Sequence, residues 1–390
     1  MSRDIKLVVL SMLTWGLGEG IFYIFQPLYL QEFGANPILI GTILGINGLV
    51  MALVQIPAGY LADKFGARPI MRFSWIMGVV AAWMMALAPS LSLFVAGLLL
   101  YAVTSSVMAP LNAYVQAARG KWSVGRAVSF TSAAYSFGGI IGPVIGGFVA
   151  ETFQLRTAYY LAGIIFIIST IIVMFAGKQP AAHQLSQTEG KVELFKNKAF
   201  LGMLAVIFLV IFAATFPQPL AANFLQNQRG LSLSRIGQLG SITAVGSVVL
   251  MLIFGQISSP TAMMVGQAGM MIFSLLIWRG RNVITYGIGY FFMGGYRLCR
   301  AMTVALVQPI IQAREMGLAF GMVESLNALA FMAAPLIAGV LYDWQPSSIF
   351  SVGLIVLGLS MILSIYLILR NRKLCGAGNE KLYLELDDES

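Results

Sequence analysis

Apolar runs of membrane-spanning length follow one another almost end to end along this chain of 390 residues. A helix that crosses a bilayer needs about 20 predominantly apolar residues. Inside lipid every backbone polar group must find its partner within the protein, so such runs fold as helices and pack side by side. Window hydropathy predicts twelve spans, roughly 7–30, 38–61, 70–88, 91–115, 127–150, 157–177, 199–222, 235–257, 261–279, 283–307, 316–340 and 348–370. The expected fold is an all-α membrane protein of twelve transmembrane helices. With 58% hydrophobic and only 10% charged residues, the chain does not read as a soluble domain.

The longest interior polar segment, 178–198, divides the spans into two sets of six. The expected organisation is an N-terminal six-helix bundle at 1–177, a cytoplasmic linker at 178–198, a C-terminal six-helix bundle at 199–370 and a cytoplasmic tail at 371–390. The two bundles repeat one another. An offset of 192 residues pairs Gln26-Pro27-Leu28 with Gln218-Pro219-Leu220, Pro143 with Pro335, Gly147 with Gly339, and Glu151 with Asp343. Over the second helix of each half the offset is 196, pairing Ile40-Gly41 with Ile236-Gly237. Parallel six-helix repeats about an axis normal to the membrane enclose a central cavity. Lys and Arg number 17 in the loops on the N-terminal side and five in the opposite loops. This bias places both termini in the cytoplasm of a multi-pass plasma (inner) membrane protein.

The formal charge of +9 resides in short loops between apolar runs, so no nucleic-acid partner is expected. Cys299 and Cys375 have no partner at a useful spacing, and His183 stands alone in the linker, so neither a disulfide nor a metal site is predicted. No cofactor is expected. No nucleophile, base and orienting group converge in the sequence, and the chain is not expected to be an enzyme. A monomer embedded in the lipid bilayer is the expected state.

Four ionisable residues fall inside spans. The stretch from Gly289 to Gln308, nearly all of it in the tenth span, carries Arg297 and Arg300 about halfway along. An arginine at the centre of a membrane helix costs roughly 2.5–3.5 kcal/mol on insertion scales. Two of them three residues apart share one helix face, which must look into a polar cavity or onto buried carboxylates. The candidate partners are Glu19, about 18 Å into the first span at 1.5 Å per residue, and Glu324 in the eleventh. Depth along the membrane predicts Glu19 opposite Arg297 and Glu324 opposite Arg300. Trp15, Glu19, Tyr23 and Gln26 form one helical stripe, and Asn327 lies in line with Glu324. These charges are read as coupling or substrate-binding groups; two static ion pairs that fix helix rotation are the alternative.

Further polar stripes outline the cavity. Asn47 and Gln55 share a face of the second span, and Ser105, Asn112 and Gln116 share a face of the fourth. Tyr135, Gln218, Gln238 and Gln308 add polar groups from the fifth, seventh, eighth and tenth spans.

The loop after the second span reads Gly59-Tyr60-Leu61-Ala62-Asp63-Lys64-Phe65-Gly66-Ala67-Arg68-Pro69, with Arg72 one turn on. It resembles the signature between helices two and three of the major facilitator superfamily. That resemblance implies a cytoplasmic gate built on Gly59, Asp63, Lys64, Gly66, Arg68 and Arg72, with Ala67 where the pattern usually has a basic residue. In the fifth span, Gly138, Gly142, Pro143, Gly146 and Gly147 resemble the glycine–proline motif of the superfamily's drug–proton antiporters, which implies a helix-packing hinge tied to export. The resemblance also implies that the third, sixth, ninth and twelfth helices face outward. Many antiporters carry an arginine in the fourth helix at the position of Gly97, so coupling by that residue is not available here. The expected function is a secondary active transporter working by alternating access, exporting a small organic molecule with coupling to protons or another ion. Glu19 and Glu324 are the protonation candidates. A carrier of an anionic organic solute gripped by Arg297 and Arg300 is the alternative within that class, and a non-transporting membrane receptor or scaffold is the alternative outside it.

Overall fold

A computed structural model describes residues 2–177, 197–311 and 316–370. Among these the chain is all helical, and eleven helices are long and apolar enough to cross a membrane. The remaining span, the tenth, is present as two shorter helices. Numbered by span, the N-terminal half comprises α1a Arg3–Phe22 and α1b Gln26–Glu32, α2 Pro37–Phe65, α3 Ala67–Leu87, α4a Leu91–Val103 and α4b Met108–Ala118, α5 Val124–Thr152 and α6 Leu155–Met174. The C-terminal half comprises α7a Lys198–Thr215 and α7b Ala221–Arg229, α8 Leu233–Phe254, α9 Ser259–Arg279, α10a Val283–Met293 and α10b Gly295–Val307, α11 Met316–Trp344 and α12 Ser348–Arg370. The linker expected at 178–198 lies outside the described residues up to 196, and so does the tail from 371.

The helix starts follow from local chemistry. Asn36, at the start of α2, accepts a hydrogen bond from the Leu39 amide at 2.8 Å. Its repeat partner Ser232 does the same for Arg235 at the start of α8. Each satisfies a donor that the first helical turn leaves open. The breaks repeat too. A 3-10 turn at Tyr23–Phe25 interrupts the first span just before Gln26-Pro27, and the seventh is interrupted just before Gln218-Pro219. The fourth span breaks at Thr104–Val107 and the tenth at Gly294. Proline removes a backbone donor and clashes with the preceding turn, which accounts for the first two breaks.

Burial in lipid supplies little driving force between helices, so close packing of small residues and interhelical hydrogen bonds hold the bundle. The glycines of α5 show this directly. A Cβ on Gly138 would fall 2.3 Å from the Leu13 carbonyl oxygen, and one on Gly146 would fall 2.0 Å from that of Ile21. This glycine row is the face on which α5 lies against α1. α5 itself runs unbroken through Pro143.

The halves meet at the end away from the termini, through two seams. In one, α5 meets α8: a Cβ on Gly237 would lie 2.2 Å from the Pro143 oxygen, and one on Gly147 would lie 2.7 Å from the Leu233 oxygen. In the other, α2 meets α11: a Cβ on Gly41 would lie 2.3 Å from the Pro335 oxygen, and one on Gly339 would lie 2.6 Å from the Pro37 oxygen. These are the residues that the 192 and 196 offsets pair. Gln31 reinforces the closure, accepting from the Asn223 and Asn227 side chains at 2.7 and 2.9 Å. The glycine seams and the hydrogen bonds of Gln31 and Glu151 across the boundary all lie at that end. The molecule is shut at one end and open at the other.

Candidate functional site

Between the halves lies a cavity of about 760 Å³ that opens toward the terminal end. Its N-terminal wall is aromatic. The Trp15 ring stacks on Phe166 with centroids 4.4 Å apart and on Tyr101 at 6.4 Å. Gly78 makes room for that ring, since a Cβ there would fall 2.1 Å from Trp15 Cη2. One turn beyond Trp15, Glu19 faces the cavity, and the Tyr135 hydroxyl donates to its Oε2 at 2.8 Å. Tyr101 faces the same carboxylate.

The opposite wall is α10b. The break at Gly294 starts a fresh helix just before the two arginines, and that start is fixed by close contact: a Cβ on Gly294 would lie 2.3 Å from the Ser247 amide nitrogen of α8. Arg297 and Arg300 both line the cavity. Arg300 donates from Nη2 to Glu324 Oε2 at 3.3 Å, with the two side chains 49% and 52% exposed. Glu324 does not line the cavity itself but reaches Arg300 from α11. The pairing expected from depth is therefore present for Arg300 with Glu324. The expected Glu19–Arg297 pair is not closed to salt-bridge distance. Depth fixes height in the membrane but not separation across the cavity, and Tyr135 holds Glu19 on the N-terminal side. The Arg297 guanidinium makes no hydrogen bond or ion pair among the described residues.

Of the other residues expected to line the cavity, Trp15, Tyr23, Gln26, Asn47, Ser105, Tyr135 and Gln218 do so. Gln26 and Asn47 are nearly buried, with Gln26 Nε2 and Asn47 Oδ1 unpartnered among the described residues; Asn223 Oδ1, in the closed end, is likewise unpartnered. Six expected lining residues lie elsewhere. Gln55 is exposed two turns beyond Asn47 and donates to the Ser105 carbonyl at 3.2 Å. Asn112 and Gln116 are exposed on α4b. The 3-10 turn at Thr104–Val107 advances by about 120° per residue instead of 100°, so the stripe drawn from Ser105 does not continue past it. Gln238 sits in the first turns of α8 and accepts from Arg235 at 3.1 Å. Gln308 is exposed in a closing 3-10 turn at the terminal end. Asn327 is buried behind Glu324 and donates to its Oε1 at 3.4 Å. Tyr101 and Tyr296, which flank the charges, were not singled out by sequence. A lone tyrosine in an apolar run looks like packing, and only the adjacency of Tyr296 to Arg297 hinted at more.

The residues expected to form a gate fall at the terminal end. Gly66 has φ +87°, the backbone freedom that lets α2 turn directly into α3. The Arg72 guanidinium donates to the Met174 carbonyl and, at 3.3 Å, to that of Ala176, so it caps the C-terminus of α6 in its own half. Lys64 lies over the Phe65 ring at 5.4 Å, and Arg68 is half-buried. The surroundings of Gly59 and of the Asp63 side chain are outside what the structure describes.

Comparison with known proteins agrees with this architecture. The chain is 23% identical to the class B tetracycline resistance protein of Escherichia coli over 88% of its own length and 89% of that protein. It is 22% identical to multidrug resistance protein 1 of Bacillus subtilis (strain 168) over 93% of its length and 96% of that protein. The fold superposes on the crystal structure of the nucleoside transporter NupG with a TM-score of 0.75 at 15% identity, covering 94% of this chain and 98% of that one. The Major Facilitator Superfamily model matches residues 8–296, and this chain belongs to that superfamily.

Proposed function

We propose that this secondary transporter exports a small organic molecule in exchange for protons, with Glu19 as the proton-carrying group. The observation that carries the reading is a carboxylate that faces the central cavity, is oriented by Tyr135 at 2.8 Å, and has no ion-pair partner among the described residues. Such a group takes up or gives up a proton as the cavity's exposure changes, and a bound cationic group competes with that proton for the same oxygens. The Lys and Arg bias of the loops supports a cytoplasmic terminal end, which makes this the inward-open state. The names of the relatives, resistance proteins for tetracycline and for multiple drugs, support the outward direction.

The test is flux into proteoliposomes with an acid lumen, using a panel of aromatic dyes of each charge class. Wild type is expected to accumulate dye while the gradient lasts. Glu19→Gln is expected to lose gradient-driven accumulation while keeping dye exchange across a membrane without a gradient. Undiminished gradient-driven uptake by Glu19→Gln overturns the assignment. A second reading, carriage of an organic anion, rests on the unpartnered Arg297. It requires anion flux that disappears in Arg297→Ala.

A further inference from the structure

The cavity walls carry three charged side chains, and these are divided between the halves. Glu19 belongs to α1a and is held by Tyr135, while Arg297 and Arg300 belong to α10b. Arg300 is already neutralised by Glu324. This leaves one negative and one positive group facing the same cavity from opposite sides, neither joined to the other. Each has surface open to the cavity.

Closing the terminal end around a substrate removes water. A charge stripped of water without a counter-ion costs several kcal/mol. A neutral apolar molecule would leave both groups uncompensated. A cation would satisfy Glu19 and leave Arg297 buried beside a like charge. An anion would do the reverse. In exchange for a proton the loaded carrier has Glu19 ionised, and in that state a molecule with both charges answers both walls. The surfaces between them are aromatic, with Trp15 and Tyr101 on one side and Tyr296 packed on Phe331, at 6.3 Å, on the other.

We infer that the preferred substrate is a zwitterion, an organic molecule whose protonated amine meets Glu19 and whose carboxylate meets Arg297, joined by an aromatic or apolar body. The assignment rests on the cavity being the transport site, as proposed above. It also gives the sign of the coupling: the amine displaces the proton from Glu19, while the carboxylate end takes no part in the exchange.

The experiment uses one scaffold in four charge states. These are 4-(aminomethyl)phenylalkanoic acids of stepped chain length, their methyl esters (cation only), their N-acetyl derivatives (anion only) and their N-acetyl methyl esters (neutral). Binding to the purified full-length protein is read from quenching of tryptophan fluorescence, since Trp15 and Trp75 line the cavity. At the best length the zwitterion is expected to bind about tenfold or more tighter than either singly charged form, with proton release into weak buffer. Arg297→Gln should bring the zwitterion and the ester to the same affinity. Glu19→Gln should bring the zwitterion and the N-acetyl acid to the same affinity and abolish proton release. Retained binding of the neutral form, no weaker than in wild type, shows that each variant keeps its cavity. Equal affinity of zwitterion and ester, or no binding of any member at concentrations up to about 10 mM, overturns the inference. Flux of the same compounds separates the two proposals. Zwitterion-selective binding without gradient-driven flux leaves this assignment standing and removes proton-coupled export. Gradient-driven flux of ester and zwitterion alike does the opposite.

Discussion

The α5–α8 seam and the α2–α11 seam are two copies of one contact, and the first carries a charged group that the second lacks. Each copy brings a glycine against the carbonyl of an intrahelical proline, Gly237 against Pro143 and Gly41 against Pro335. Each also brings a second glycine, Gly147 or Gly339, against the start of the facing helix. Only the first copy adds a carboxylate across the boundary: Glu151 accepts from the Ser234 amide at 2.7 Å, at the N-terminus of α8. The start of α2 is closed by its own Asn36 and by Pro37, which has no amide hydrogen to offer. The equivalent acid, Asp343, is exposed. The shared part is steric and follows from the repeat. The added part is electrostatic and belongs to one half only, so the two seams need not open with equal ease.

The largest expected effect separates packing within a half from packing between halves. Gly146→Val places side-chain carbon against the Ile21 backbone, 2.0 Å from its oxygen at Cβ alone. It should cost about 3 kcal/mol or more and appear as a lowered Tm or lost expression, without selective opening. Gly237→Val and Gly41→Val should instead prise the seams apart, at about 1–3 kcal/mol each. Spin labels at Ser90→Cys and Arg281→Cys, in a Cys375→Ser background, should report longer distances between the halves at the closed end. If only one of the two valines lengthens them, the seams are not equivalent copies. A smaller effect tests the added acid. Glu151→Gln removes a charge at a helix N-terminus worth roughly 0.3–1 kcal/mol. It should shift the same distance distribution about two- to fivefold toward open, with Asp343→Asn as the silent counterpart. An equal response from both would show that the asymmetry is not electrostatic. The smallest effect belongs to the open end. Glu324→Gln breaks an ion pair whose side chains are 49% and 52% exposed, so it should change stability by less than about 1 kcal/mol, an effect that salt further reduces.

Much of this architecture could be read from residue order, for identifiable reasons. Length and hydropathy set the spans, and the tenth was legible as a span because both of its pieces are apolar apart from Arg297 and Arg300, while its break at Gly294 was not. The offsets that pair Gly41 with Gly237 and Gly147 with Gly339 marked the residues of the seams. They did not say that Gly41 faces Gly339 or that Gly237 faces Gly147, because a repeat relates equivalent positions and says nothing of their neighbours. Glu19 was legible as a buried acid, but its partner was not. A helical stripe fixes the direction around an axis and depth fixes height, yet Tyr135 and Arg297 both satisfied those conditions. The same limit explains Gln238 and Gln308, which share a polar face with the cavity but stand beyond its ends. Asn112 and Gln116 failed for another reason, a 3-10 turn that no single residue announces.

The unpartnered amide atoms of Gln26 and Asn223 have a consequence for how the transporter idles. A buried polar group left without a partner costs about 1–3 kcal/mol, and both residues belong to the segments that meet when the far end shuts. Water reaching them on opening would refund that penalty. Opposing contributions therefore meet at the shut end: its glycine joints fit closely, while these amides favour opening. The two faces of such a carrier lie closer in free energy than the joints alone would set them, so a modest contribution from a bound ligand or proton suffices to turn it.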